Sequence, residues 1–208
     1  GPGAYLLAQE IEAAGRKQVR VEHLLVLPND EVDQNRTRRF GINGSNIEEW
    51  MAENLKRSGF GWMRYENAKW QMYMPSKDRV AFDGSVTPWR IPYDRLLTTY
   101  QANGLKVLPY IFQPPEWATS APPDVKRNRH GYPPKDPADY EDAIFQFVAR
   151  FGRNQVDPSL LKSDDKKSGL GLIDAVELWN EPNLNDPGWG PFVGPLTQYF
   201  DVLRAGAQ

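Results

Sequence analysis

At 208 residues, with 40% hydrophobic and 12% aromatic content, the chain can bury a sizeable core and belongs with globular rather than disordered proteins. Its 25 basic and 27 acidic residues leave a formal charge of −2, so no global field favours nucleic acid or an anionic membrane. The absence of cysteine excludes disulfides and thiolate chemistry, and no stretch approaches the ~20 apolar residues of a membrane span.

In chain order, residues 1–38 read as a β-rich segment. Ala4 to Ala13 and Lys17 to Leu27 are strand-like runs joined by Ala14-Gly15-Arg16, although Leu6, Leu7, Ile11 and Ala14 would also fit a helical face. The opening Gly1-Pro2-Gly3 has neither the basic nor the apolar region of a signal peptide. From residue 39 strand and helix alternate. Arg39 to Asn43 predicts a strand, and Asn46 with Glu49 forms a capping box for a helix whose inner face is Ile47, Trp50, Met51 and Leu55. Gly61 to Tyr65 is a second strand. A second helix runs from about Pro92 to Asn103 with Tyr93, Leu96, Leu97 and Tyr100 inward and Gly104 as its stop. Leu105 to Phe112 is a third strand. Asp136, Pro137 and Asp139 open a third helix with Tyr140, Ile144, Phe147, Val148 and Phe151 at helical spacing. Asp174 to Trp179 is a fourth strand, and Pro195 to Ala205 a fourth helix.

Four βα units in series imply a parallel sheet, either open and doubly wound or part of a barrel. No Gly-rich phosphate loop follows any strand, which argues against the nucleotide-binding open sheets. The long stretches 66–91, 113–135 and 180–194 follow strands, as pocket-building loops of a (β/α)8 barrel do. The fourth strand ends in Trp179-Asn180-Glu181-Pro182-Asn183, where Pro182 predicts an extended Glu181 and the end of the strand. A carboxylate in that place is where α/β barrels put catalytic groups.

Trp-Asn-Glu-Pro-Asn resembles the acid/base motif on strand four of the clan A glycoside hydrolases. Phe40-Gly41-Ile42-Asn43, Trp62-Met63-Arg64-Tyr65, and Gly104 to Tyr110 followed by Pro115-Glu116-Trp117-Ala118 are similar to the first three strands in order and spacing. The resemblance looks closest to family 39 and covers about residues 40–208. It implies the N-terminal half of a (β/α)8 (TIM) barrel over 39–208, preceded by a possible β-sandwich remnant over 1–38. It implies a retaining hydrolase of polysaccharide or oligosaccharide, needing no cofactor or metal and secreted or at the cell surface. On that resemblance Glu181 is the acid/base and Asn180 holds the sugar 2-hydroxyl. Arg64, Gln113, Trp117 and Trp189 are further substrate contacts. The acid in such a pair must carry its proton near neutrality while the nucleophile stays ionised.

Each residue also has a plainer reading. Arg64 could neutralise Glu177, which lies on the same strand face as Glu181, and loop packing accounts for Trp117 and Trp189 equally well. His23 and His130 are isolated and make no metal site. The charged runs 126–129 and 164–167 read as solvated loops. Strict alternation would put Asn180 and Glu181 on opposite faces, so the strand end must twist to bring both into one pocket. A complete barrel takes ~250 residues, so four units leave the nucleophile to a second half, from the parent chain or another polypeptide. The alternatives are a non-catalytic carbohydrate-binding or surface-assembly protein derived from the same barrel, and an open α/β enzyme using Asn180-Glu181 differently.

Overall fold

The computed structural model describes residues 3–13, 16–26, 40–45 and 49–207. Strands β1 (Gly3–Ala13) and β2 (Arg16–Val26) pair antiparallel from Gly3↔Val26 to Ala13↔Arg16. The first run is therefore strand rather than helix, and Arg16 is part of the ladder rather than of the turn. The expected boundary at 38 and the Asn46 capping box fall outside the described residues.

Strands β3 (Gly41–Gly44), β4 (Trp62–Tyr65), β5 (Lys106–Ile111) and β6 (Glu177–Leu178) form a four-stranded parallel sheet in chain order. Between and after them run α1 (Glu49–Arg57), α2 (Tyr93–Ala102), α3 (Pro137–Phe151) and α4 (Leu196–Gly206). The register assigns the two faces of the sheet. Met63 pairs with Val107 and Tyr65 with Pro109, and these positions are buried on one face. Asn43, Arg64 and Leu108 lie in line on the other, where Tyr110 pairs with Glu177. Alternation thus directs apolar side chains to the helices and a polar row to the opposite side.

Local signals explain the helices. The Asp136 carboxylate accepts from Ala138 N at 3.0 Å, and Pro137 occupies the first turn of α3, where no amide hydrogen is needed. Gly104, at φ 71°, ends α2 in the left-handed conformation that glycine adopts freely. The inner stripe of α2 is buried as expected, as are Tyr140, Ile144, Phe147 and Phe151 of α3, while Val148 at the stripe's edge is exposed. On α1 the expected face holds at Leu55, which packs against the core beside Ala52, and fails at Trp50 and Met51, which are exposed, while Ile47 lies outside the described residues.

Two other expectations change. Strand four is only Glu177–Leu178, because Ile173 makes an isolated bridge to Val107, Asp174 turns out to meet Arg153 at 2.6 Å, and Trp179 breaks the ladder at φ 71°. Irregular chain is also not confined to strand ends, since 152–176, which joins α3 to β6, is as long as the others. The stretch after β4 is core: Trp70, Met72, Tyr73, Met74, Val80 and Phe82 are buried. Tyr73 stacks on Phe82 at 5.5 Å, Phe82 meets Phe151 edge-on at 5.0 Å, and Tyr73 Oη donates to Ala143 O at 3.1 Å. Aromatic pairs in these geometries add about 0.5–1.5 kcal/mol each beyond the area they bury.

Within the runs read as solvated charge, Lys126, Arg127, Asp164 and Lys167 are exposed as expected, whereas Asp165 and Arg129 hold structural bonds. Arg150, buried near the end of α3, holds Asp94 through Nε (2.8 Å) and Asp165 through Nη1 (2.7 Å), tying α2, α3 and the 152–176 segment together. Hydrogen bonds from Arg150 hold the Asp165 carboxyl below the ordinary carboxylate range. A lowered folded-state pKa gives stability that is present above the unfolded value and lost as pH falls through the folded one. The clamp should therefore weaken in acid, below the ordinary carboxylate range. Arg150→Met leaves two carboxylates facing one another, each part-exposed and screened, and should cost about 2–3 kcal/mol in denaturant melts near neutral pH. The difference from wild type should shrink in acid, and a pH-independent difference would remove Asp165 from the clamp. Arg129, likewise expected to be solvated, binds Glu116 at 2.8 Å and Pro122 O at 2.7 Å.

Candidate functional site

At the C-terminal ends of β4, β5 and β6 the polar row becomes a network centred on Arg64. Its Nε and Nη2 hold Glu177 Oε2 and Oε1 at 2.7 and 2.6 Å, a bidentate fork. Nη2 also donates to Asn180 Oδ1 at 2.9 Å, and Nη1 to Asn43 Oδ1 at 3.1 Å. The guanidinium carbon lies 3.8 Å above the centre of the Tyr110 ring, a cation–π contact. The hydrogen bond to Glu177 raises the Arg64 pKa above its ordinary value against the opposing effect of burial, so Arg64 is a fixed cation. Burial, followed by the nearby Glu66 carboxylate, pushes the Tyr110 phenol up to about 12 and keeps it neutral.

This network fixes Asn180. An arginine only donates, so the oxygen of the Asn180 carboxamide must face Arg64 and its nitrogen must turn the other way. That nitrogen lies 3.3 Å from Glu181 Oε2. Arg64, Asn180 and Glu181 are thus brought together in a chain of two hydrogen bonds. The plainer reading of Arg64 also holds in its geometry, since its strongest partner is Glu177.

Both side chains reach this place because alternation fails at the strand end. Glu177 faces Arg64, and two residues on Trp179 would share that face. Instead Trp179 is buried against Tyr140 and Phe192, at ring distances of 5.7 and 5.3 Å, with Nε1 donating to Pro191 O at 2.8 Å. Trp179 at φ 71° and Glu181 at φ 42° both take left-handed backbone conformations. Glu181 is therefore not extended before Pro182, as the sequence suggested. Held positions of this kind cost about 1–3 kcal/mol each and persist where surrounding packing imposes them; here the buried indole is the anchor. The Glu181 carbonyl accepts Leu184 N at 3.0 Å and closes a turn, leaving its carboxylate exposed.

The other expected contacts lie outside the Arg64 network. Trp117 is half-buried, packs edge-on against Trp70 at 5.5 Å and donates through Nε1 to Met74 O at 3.3 Å, which is the loop-packing role. Gln113 follows β5 at φ 55° and accepts Gln71 Nε2 at 3.1 Å. Trp189 is exposed, on a turn closed by Asp186. The segments after β5 and β6 are fastened together by Asn128 Nδ2 to Gly190 O (2.8 Å) and Val193 N to Gly131 O (2.7 Å). A Cβ on Gly131 would collide with the Gly190 carbonyl, so glycine permits this seam. Sequence reasoning missed Asn43, Tyr110 and Gln71; the signal for the first two was their place on the Arg64 face of neighbouring strands.

Among the described residues no cluster of His, Asp and Glu could hold a metal ion, and no helix is long and apolar enough to cross a membrane.

The class defined by these observations is a mixed α/β protein with a four-stranded parallel sheet and a polar network at the C-terminal strand ends. Among solved structures the chain is similar to a family 39 glycoside hydrolase from the gut symbiont Bacteroides cellulosilyticus WH2, with a TM-score of 0.56 and 18% sequence identity. The match covers 99% of this chain and 36% of that one, so the chain spans about a third of its neighbour's length. At that identity the likeness is one of fold, consistent with a partial TIM-barrel arrangement. No family model matches the sequence, and no curated protein does.

Proposed function

We propose that residues 39–208 are the N-terminal half of a (β/α)8 glycoside hydrolase that cleaves O-glycosidic bonds in a polysaccharide or oligosaccharide with retention of configuration. The observation that carries this reading is the strand-end arrangement in which Arg64 pins Asn180 beside an exposed Glu181. In this mechanism Glu181 protonates the departing glycosidic oxygen and later takes a proton from the attacking water. Asn180, its oxygen occupied by Arg64 and one N–H directed at Glu181, presents its other N–H to a ring hydroxyl oxygen. Arg64 acts as a positioning residue, since four of its five N–H donors already have protein acceptors. Glu177 has both oxygens engaged by Arg64 and is not free to attack an anomeric carbon. The nucleophile therefore comes from the second half of the barrel, and a carboxylate ~5 Å from Glu181 is the spacing that retention requires.

The test is stereochemical. The protein expressed from its complete reading frame should release product in which the substrate's own anomeric form appears first in a proton NMR time course. First appearance of the opposite anomer would exclude the retaining pair, and absence of hydrolysis across neutral and acidic oligosaccharides would favour a carbohydrate-binding descendant of the same barrel.

A further inference from the structure

A second carboxamide, that of Gln113 just past β5, has its oxygen bonded by a protein donor. Gln71 is buried between buried Trp70 and Met72 in the 3-10 turn Trp70–Met72. Placing an amide there is costly unless it is bonded. Its partner is Gln113, two residues past the end of β5 at Ile111. Gln71 Nε2 donates to Gln113 Oε1 at 3.1 Å, and Gln71 N donates to Gln113 O at 3.1 Å. The preceding pair is joined as well, by Trp70 N to Phe112 O at 2.8 Å. Gln71 thus grips both the backbone and the side chain of Gln113, whose left-handed φ of 55° is uncommon for a residue with a Cβ.

We propose that Gln71 is a positioning residue for carbohydrate recognition: it fixes the Gln113 carboxamide with its oxygen inward and its NH2 group outward, as a second amide donor. The choice of a sugar hydroxyl as what Gln113 meets rests on the proposed glycosidase reading; the Gln71–Gln113 clasp does not. A trigonal carboxamide whose oxygen is occupied on one side carries its two N–H donors on the other. Gln113 is only half-buried, so those donors are within reach of a ligand. Two amides whose oxygens are both taken by protein donors offer hydrogens only, which suits the oxygen lone pairs of ring hydroxyls.

The experiment has two arms on the protein expressed from its complete reading frame. In the first, without ligand, the side-chain amide signals of Gln113 are followed after 15N-glutamine labelling. Gln71→Met removes the donor at similar volume, and the Gln113 pair should move to the shifts of a free, solvent-averaged carboxamide while the thermal midpoint stays close to wild type. An unmoved pair would overturn the positioning role. In the second arm hydrolysis of xylotetraose and of cellotetraose is measured. For the substrate that is turned over, Gln71→Met and Gln113→Ala should each raise KM about three- to tenfold, the worth of one hydrogen bond, with kcat little changed. The double variant should be no worse than Gln113→Ala alone. Additive effects, or a Gln71→Met effect confined to kcat, would overturn the proposal. Failure to hydrolyse either substrate would count against the glycosidase reading, with the amide signals still deciding whether Gln71 sets the rotamer of Gln113.

Discussion

Replacing Glu181 by Gln should lower turnover of natural oligosaccharides by roughly 10²–10⁴-fold in the protein made from its complete reading frame, the usual contribution of a positioned general acid. Gln keeps the size of Glu181 and a contact for Asn180 but has no proton to give a departing alkoxide. The deficit should depend on the leaving group. An aryl glycoside with an acidic phenol departs without help, so its glycosylation step should be nearly spared while that of a sugar leaving group collapses. Pre-steady-state measurement isolates that step from the later hydrolysis of the glycosyl-enzyme, in which the same residue acts as base. Equal losses for both substrates in the isolated step would remove Glu181 from the acid role. Arg64 variants would not show this leaving-group dependence, because Arg64 acts on Asn180 and Glu177 rather than on the departing oxygen.

How much of this arrangement was legible in the sequence differs from residue to residue for physical reasons. The βα order was legible because periodicity is local: the stripe Tyr93, Leu96, Leu97 and Tyr100, the cap at Asp136 and the stop at Gly104 each act within a few residues. The pairing of Arg64 with Glu177 was legible as the plainer of two readings of that arginine. The backbone of Glu181 did not. Pro182 favours an extended predecessor, but burial of Trp179 against Tyr140 and Phe192 turns the chain and overrides that local preference. The exposure of Trp50 was equally illegible, since a helical face is apolar whether its cover is in the same four units or elsewhere. The buried Arg150 clamp and the Gln71–Gln113 clasp join residues 56 and 42 positions apart, and nothing in local pattern announces such partners.

The purified 208-residue chain should show no glycosidase activity and should self-associate, for one structural reason. The sheet ends at β3 on one side and β6 on the other, and among the described residues neither outer edge meets a further strand. Unpaired edges with apolar surface beside them drive association. Phe40, just before β3, is exposed, as are Trp50 and Met51 of α1; α4, which packs against β6, exposes Leu196 and Phe200. The face carrying Trp62, Arg64 and Leu108 is also only half-covered. On the half-barrel proposal, a second half that supplied the nucleophile would also cover these apolar groups. Sedimentation should therefore report species of at least twice the single-chain mass. Trp50→Glu with Phe200→Glu, which places charge on both flanks without touching the buried core, should shift the distribution towards single chains and leave the chain inactive. A wild-type chain that sediments as a well-folded monomer and hydrolyses oligosaccharides, with turnover abolished by Glu181→Gln, would place a nucleophile within these residues and overturn the half-barrel assignment.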